Sequence, residues 1–261
     1  MKLIHLTDTH LVEPGGRIYG LDPLQRLRRA VASINAEHAD AALCIVTGDL
    51  AHFGEPAAYA ALGEALAGLG VPVHLALVNH DNRVHFRAAF PGAPIDADGF
   101  VQFAIDSPVG RLLVLDTNEP GVPHGVYCER RAAWLAATLA ERPQDPAWLF
   151  MHHPPFAIGI PTMDRIGLLD PALFAGALEP HRSRVRQLFF GHVHRPIAGS
   201  WRGIPISTVR GTCHQVALEF GARTRILGSH EPPAYAVVLA ECDGAIVHLH
   251  DYEDRSERFD L

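Results

Sequence analysis

Apolar residues recur along this chain in two rhythms that take turns. "KLIHL" (2–6), "AALCIVTG" (41–48) and "VPVHLALV" (71–78) are short, nearly continuous apolar runs of the kind that form buried strands. Between them, "PLQRLRRAVASINAEH" (23–38) sets Leu24, Leu27, Val31 and Ile34 at helical spacing. "EPAAYAALGEALAGLG" (55–70) has Pro56 near its start and Gly70 at its end, the usual asymmetry of a helix. Strand and helix alternating through short connections predict βαβ units with parallel strands.

The second half mixes modes. "FVQFAID" (100–106) and "RLLVLDT" (111–117) read as strands joined through Ser107-Pro108-Val109-Gly110, a predicted hairpin. "ERRAAWLAATLAER" (129–142) follows as a helix, then "AWLFMHH" (147–153) and "RQLFFGH" (186–192) as strands. From residue 196 the segments "PIAGSWRGIPISTV", "QVALEF", "AYAVVLAE" and "AIVHLHDYE" suggest consecutive antiparallel strands. With no linker, repeat or low-complexity segment, the pattern predicts one α/β (α+β) domain over 1–261, with two sheets and outer helices. The strands from about 196 to 251 are expected to complete the second sheet.

Composition narrows the possible functions. The 261 residues are 48% hydrophobic and 20% charged, which suits a soluble protein with a substantial core. A formal charge of −7 argues against a polyanion partner such as nucleic acid. Asp8 interrupts the N-terminus before an apolar stretch reaches signal-peptide length, and no run of about 18 apolar residues exists to span a membrane. A cytoplasmic location is therefore expected. Cys44, Cys128, Cys213 and Cys242 are scattered without a CxxC pair, as suits reduced, packed thiols. Histidine is the outlier, with 17 residues, and raises the prior for metal binding or proton transfer.

The ends of the strands carry the chemistry. "LIHLTDTH" delivers Asp8 and His10, "CIVTGDL" delivers Asp49, and "LALVNHD" delivers Asn79 and His80. "LFMHHPP" delivers His152 and His153, and "LFFGHVH" delivers His192 and His194. Any one of these has a bland explanation: Asp49 as a turn residue or helix cap, Asn79 and Asp81 as an Asx turn, a lone histidine as a surface residue. Five coincidences at the same end of core strands are far less expected than one, because parallel strands send their carboxyl ends to a single crevice. In extended chain, Asp8-x-His10 and His192-x-His194 would each point both side chains to one side. Carboxylate, imidazole and amide oxygen suit Mn, Fe, Co or Zn, and there are more donors than one ion can use. Two ions sharing a carboxylate, the arrangement suited to displacement at phosphorus, are the expectation.

The blocks D-x-H, G-D, N-H-D, H-H and G-H-x-H, in this order from Asp8 to His194, resemble the calcineurin-like metallophosphoesterase family. "DTHLVEPGGRIYG", "MHHPP" and "GTCHQV" are similar to its bacterial branch of class III cyclic-nucleotide phosphodiesterases and glycerophosphodiesterases. The resemblance implies two mixed sheets sandwiched between helices in four layers, with self-association common. It implies Asp8, His10 and His194 on one divalent ion, Asn79, His152 and His192 on a second, and Asp49 bridging. It makes His80 the substrate-facing histidine, oriented by Asp81, and brings His214 near the substrate. His52 and Tyr19 are further candidates for substrate contact, from their places beside the D-x-H and G-D blocks. His153 is expected to point away, and His5 to lie in the core. Val78 stands where the family has glycine. It is expected to keep β-region backbone and to narrow the pocket floor or press on a ligand.

Two divalent ions facing two carboxylates leave positive charge in surplus, which suits a monoanionic diester. The implied activity is hydrolysis of small phosphodiesters by a metal-activated hydroxide, with His80 as proton donor or oxyanion stabiliser. A phosphomonoesterase or nucleotide pyrophosphohydrolase on the same core is the alternative, and a metal-stabilised interaction module a third. The loops 156–170 and 221–233 are expected to set specificity.

Overall fold

The computed structural model describes residues 1–260. Thirteen strands and six helices follow in the order β1 (Lys2–Leu6), α1 (Pro23–Glu37), β2 (Leu43–Val46), α2 (Pro56–Ala67), β3 (Val73–Leu75), α3 (Arg83–Ala89), β4 (Phe103–Ser107) and β5 (Gly110–Val114). Then come α4 (Glu129–Glu141), β6 (Ala147–Phe150), α5 (Pro161–Asp164), α6 (Ala172–Leu178) and β7 (Val185–Phe190). The chain closes with β8 (Ile197–Trp201), β9 (Ile204–Thr208), β10 (Gln215–Val216), β11 (Gly228–Ser229), β12 (Tyr235–Glu241) and β13 (Gly244–His250).

One sheet has the order β13-β12-β1-β2-β3, the other β4-β5-β6-β7-β9-β8. β1, β2 and β3 are parallel, as are β5, β6, β7 and β9. The carboxyl ends of the central strands therefore lie together on one edge of each sheet. Alternation along the strands builds the layers. Leu112, Val114, Trp148, Phe150 and Phe189 join a core shared with the first sheet and with α1 and α2. The intervening Leu113, Leu149, Met151, Leu188 and Phe190 pack instead under α4 and α6. The result is the four-layer α/β sandwich, with a sheet-to-sheet core in the middle.

α1 begins at Asp22, whose carboxylate accepts the Gln25 N–H, and buries Leu27, Val31 and Ile34 as the spacing predicts. Leu24 is only partly buried against the same cluster. The short helices α3, α5 and α6 have no long apolar stripe and were not predicted. α3 is set by Asn82, whose side chain accepts from Val84 and His85.

The C-terminal strands depart from expectation. The 196–251 run does not complete the second sheet as a block. β8 and β9 do so, but β12 crosses over to pair antiparallel with β1, and β13 becomes the outer strand of the first sheet. "QVALEF" forms only the two-residue β10, paired with β11. Both sheets offer an open neighbour to an amphipathic strand, and strand pattern alone carries no information about which is taken. All four cysteines are unpaired, and no helix among the described residues is long and apolar enough to cross a membrane.

Trp148 on β6 is fully buried between the sheets, and its indole N–H donates to the Val109 carbonyl at 3.0 Å. Trp148→Ala is expected to lower the unfolding free energy by about 3–5 kcal/mol, read from urea denaturation.

Candidate metal centre

β1, β2, β6 and β7 each run out of apolar residues at the same edge, and the chain then turns sharply. Asp8, His10, Asp49, His192 and His194 all have φ between +45° and +72°, five of the eight non-glycine residues with positive φ. Asp and His are among the few side chains that tolerate the left-handed region, at some cost in strain. The extended geometry expected for the Asp8–His10 and His192–His194 pairs is thus replaced by left-handed turns. The side chains still converge, because the turns are tied together. Asp8 N–H donates to the Gly48 carbonyl at 3.0 Å, His10 N–H to the Asp49 carbonyl at 2.7 Å, and Gly191 N–H to the His152 carbonyl at 3.1 Å. A methyl at Gly191 would lie 2.1 Å from Thr7 Oγ1 and 2.9 Å from His152 Nδ1, so a glycine lets β7 approach the ends of β1 and β6.

The functional atoms meet over a few ångströms. His194 Nε2 is 3.1 Å from both Asp8 Oδ1 and His10 Nε2, and His10 Nε2 is 3.4 Å from Asp49 Oδ2. On the other side of Asp49, His152 Nε2 lies 3.4 Å from the same Oδ2, and His192 Nδ1 lies 3.3 Å from His152 Nε2. Asp49 therefore stands between two groups, Asp8 with His10 and His194, and His152 with His192. Asn79 Oδ1 is buried with no protein partner, as are Asp8 Oδ2 and His192 Nε2. The other edge of each imidazole sets its orientation. His152 Nδ1 is 2.8 Å from the Thr47 carbonyl and His194 Nδ1 is 2.7 Å from the His214 carbonyl. A carbonyl only accepts, so both Nδ1 atoms carry a proton and both Nε2 atoms face the carboxylates.

Electrostatics agree with this donor set. Burial drives His192 and His214 down to about 3 and His52 to about 4, keeping them neutral. Burial also opposes charge on His152, but the Asp49 and Asp8 carboxylates overcome it and raise His152 to about 9. Burial would protonate Asp49, but the His152, His80 and His10 rings hold it well below the ordinary carboxylate range. The site demands positive charge where Asp8 and Asp49 converge. Two anionic oxygens, imidazole nitrogens turned inward, and an unpartnered amide oxygen fit divalent cations, which would displace any proton held on those nitrogens.

The sequence profile of the calcineurin-like phosphoesterases matches residues 1–196. The chain belongs to that family. A probable cyclic nucleotide phosphodiesterase of Rhodopseudomonas palustris is 50% identical over 251 residues, covering 95% of this chain and 91% of that protein. A glycerophosphodiester phosphodiesterase of Enterobacter lignolyticus is 31% identical over 83% of this chain and 79% of its own length. The purple acid phosphatase of yellow lupin shares the fold, with a TM-score of 0.66 at 14% identity over 98% of this chain and 52% of that one. This is a family of hydrolases that use divalent metals, and the His/Asp cluster is where this member could hold them.

Around the cluster lies a cleft of about 600 Å3. His80, His52, His214 and Tyr19 all line it. Tyr19 stands edge-on to His214 with ring centroids 4.8 Å apart. Both predicted specificity loops contribute, 156–170 through Met163 and Ile166, and 221–233 through Ile226 and His230. His5 lies in the core between Phe150 and Phe189, as expected. His153 does not point away from the site. Its ring centroid is 4.6 Å from that of His192, and Thr117 Oγ1 holds its Nδ1 at 2.7 Å.

Asp81 differs from expectation. It makes no hydrogen bond to the His80 ring, whose Nδ1 donates instead to the His52 carbonyl at 2.7 Å. Its carboxylate accepts from the backbone N–H of Leu50, Ala51 and Val78 and from the Tyr59 hydroxyl. Asp81 thereby clamps the turn after β3 to the turn after β2. Burial, reinforced by the Asp49 charge, pushes it up to about 7 against those donors. Position beside His80 in sequence misled here, because the turn at Asn79–His80 brings Asp81 N–H back to the Val78 carbonyl and its carboxylate to the turn after β2.

The end of β5 was overlooked. Asp116, Thr117 and Asn118 follow "LLVL" as the other polar groups follow their strands, so the same signal applied. Asn118 Nδ2 donates to the Val78 carbonyl at 2.6 Å, and Asp116 pairs with Arg83. These residues support the Asn79–His80 turn from beneath.

Val78 is fully buried and keeps negative φ, as expected for a β-branched residue. It is not part of the cleft lining, so it does not narrow the floor. A methyl built on Gly48, at φ +105°, would lie 2.5 Å from Val78 Cγ2, so the isopropyl group fills the space beneath the Gly48–Asp49 turn. Val78→Gly is expected to cost about 2–4 kcal/mol in denaturant unfolding. At saturating metal, its rate should change by no more than about tenfold.

Proposed function

We propose that this phosphoesterase hydrolyses small phosphodiesters, cyclic nucleotides or glycerophosphodiesters, at a centre of two divalent cations bridged by Asp49. Asp8, His10 and His194 would hold one cation, and Asn79, His152 and His192 the other, with the metals drawn from Mn, Fe, Co and Zn. The observation that carries this reading is the position of Asp49 Oδ2, 3.4 Å from His10 Nε2 on one side and 3.4 Å from His152 Nε2 on the other. The names of the relatives support a diester. So does the lining of the cleft, which includes no lysine or arginine to meet the extra charge of a monoester or pyrophosphate.

When bound, the cations supply hydroxide at neutral pH and neutralise charge growing on the phosphoryl oxygens. The protein's residues do the rest. Asp49, Asp8 and the imidazoles, fixed on rigid strand ends, hold the reacting groups in register. His80 lines the cleft with its Nδ1–H committed to the His52 carbonyl, so that in its imidazolium form the second proton, on Nε2, would pass to the departing alkoxide and leave the ring neutral. The Met163 and Ile166 side chains form an apolar wall for the alcohol portion of the substrate.

Bis(p-nitrophenyl) phosphate should be cleaved well faster than p-nitrophenyl phosphate, and chelation should abolish both activities. Equal or faster monoester cleavage would favour the phosphomonoesterase alternative. Cyclic AMP and glycerophosphocholine then divide the diester class.

Asp49→Ala should lower the occupancy of both cations by metal analysis and abolish hydrolysis; full diesterase activity in this variant would overturn the bridged centre. His80→Ala should keep its metals and lose about 10²–10⁴-fold in rate on poor leaving groups. A smaller loss is expected with p-nitrophenolate, which needs little protonation, and an equal loss would assign His80 to the phosphoryl oxygens.

A further inference from the structure

His52 is half-buried at the rim of the cleft and touches the machinery in three ways. Its Nδ1 lies 3.1 Å from His10 Nδ1. Its backbone carbonyl accepts the His80 Nδ1–H at 2.7 Å. Its ring stacks on that of His80, with centroids 4.8 Å apart and planes at 26°. The loop that presents it is firmly held, since His52 N–H donates to the Leu11 carbonyl at 2.8 Å and Ala51 bridges to Leu11.

The protons follow from these contacts. His10 turns Nε2 toward Asp49 and His194, so that nitrogen must be bare to bind a cation. A neutral His10 then carries its proton on Nδ1, and the only side-chain hydrogen bond of that atom among the described residues is to His52 Nδ1. His52 Nδ1 must therefore be the acceptor, and His52 the tautomer with its proton on Nε2. Groups that accept from the far nitrogen of a ligating histidine fix its tautomer and orientation and raise its basicity, typically for 10–100-fold in metal affinity. For His152 and His194 a backbone carbonyl takes this part. For His10 a side chain takes it, and that same residue holds His80.

The geometry points to His52 as a positioning residue that serves both reacting partners. Its ring nitrogen sets the tautomer of His10 beneath the cation, and its carbonyl and ring face set His80 beside the substrate. This rests on the reading of a bound cation at His10. It makes the first cation and the substrate-facing histidine parts of one unit, coupled through a residue that need touch neither cation nor phosphate.

Two substitutions separate the contacts. His52→Asn places an acceptor oxygen where Nδ1 stood and deletes the ring; His52→Phe keeps a ring for His80 to stack on and deletes the acceptor. Mn2+ affinity of the purified proteins, measured by chelator competition without substrate, should fall about 10–100-fold in His52→Phe and stay within about threefold of wild type in His52→Asn. At saturating Mn2+, His52→Asn should lose kcat severalfold with little change in KM. Should His52→Phe fail to fold, His52→Ala removes the same acceptor without added bulk and is read in its place. Wild-type Mn2+ affinity in His52→Phe, or equal losses in both variants, would overturn the tautomer assignment. Wild-type kcat in His52→Asn would overturn the part of the hold on His80 that is assigned to the His52 ring. Failure of the unsubstituted protein to bind Mn2+ would instead overturn the two-cation reading itself, and this inference with it.

Discussion

Two carboxylates buried side by side, Asp8 and Asp49, are the constraint to which the rest of the molecule answers. A buried anion is costly unless it is paired and hydrogen-bonded, and two together cost more through mutual repulsion. The chain surrounds them with imidazoles, brings the His192 N–H to Asp8 at 3.2 Å and the His80 N–H to Asp49 at 3.4 Å, and leaves further donor atoms without protein partners. What remains uncompensated is a demand for positive charge. In this family, divalent cations answer it.

Holding such a set requires backbone that cannot relax away from it. Parallel strands buried on both faces supply the rigidity, and tight left-handed turns at their ends aim the side chains. The strain of five residues at positive φ is tolerable because each turn is bonded to its neighbour across the strand ends. Gly48 and Gly191 matter for a related reason. At each, the backbone of one turn passes so close to another strand end that a side chain would displace a group on the far side. Val78 shows the compensating move, filling beneath Gly48 what the missing side chain leaves open.

The supports of the site are built by long-range contact. Asp81 locks the turn after β3 to the turn after β2, while Tyr59 on α2 and Asn118 after β5 hold that same β3 turn from other parts of the chain. His52 links a candidate ligand on the β1 turn to the histidine on the β3 turn. Such links cannot be read from local spacing, because they depend on which turn faces which.

The sequence by itself determined where strands and major helices lie, since apolar periodicity is a local property of each element. It also named Asp8, His10, Asp49, Asn79, His152, His192 and His194, because a buried strand that ends in polar groups contradicts its own pattern wherever it occurs. The same signal stood at Asp116-Thr117-Asn118 and was legible there too. Only the tertiary structure decided that β12 and β13 leave the second sheet for the first, since both edges offered the same hydrogen bonds to an amphipathic strand. It decided as well that the Asp8–His10 and His192–His194 pairs converge through left-handed turns, that Asp81 serves the backbone of its neighbours and not the His80 ring, and that His153 lies against His192. Each of these turns on the path of the backbone after a strand ends, where two torsion angles redirect a side chain and no periodicity remains to report it.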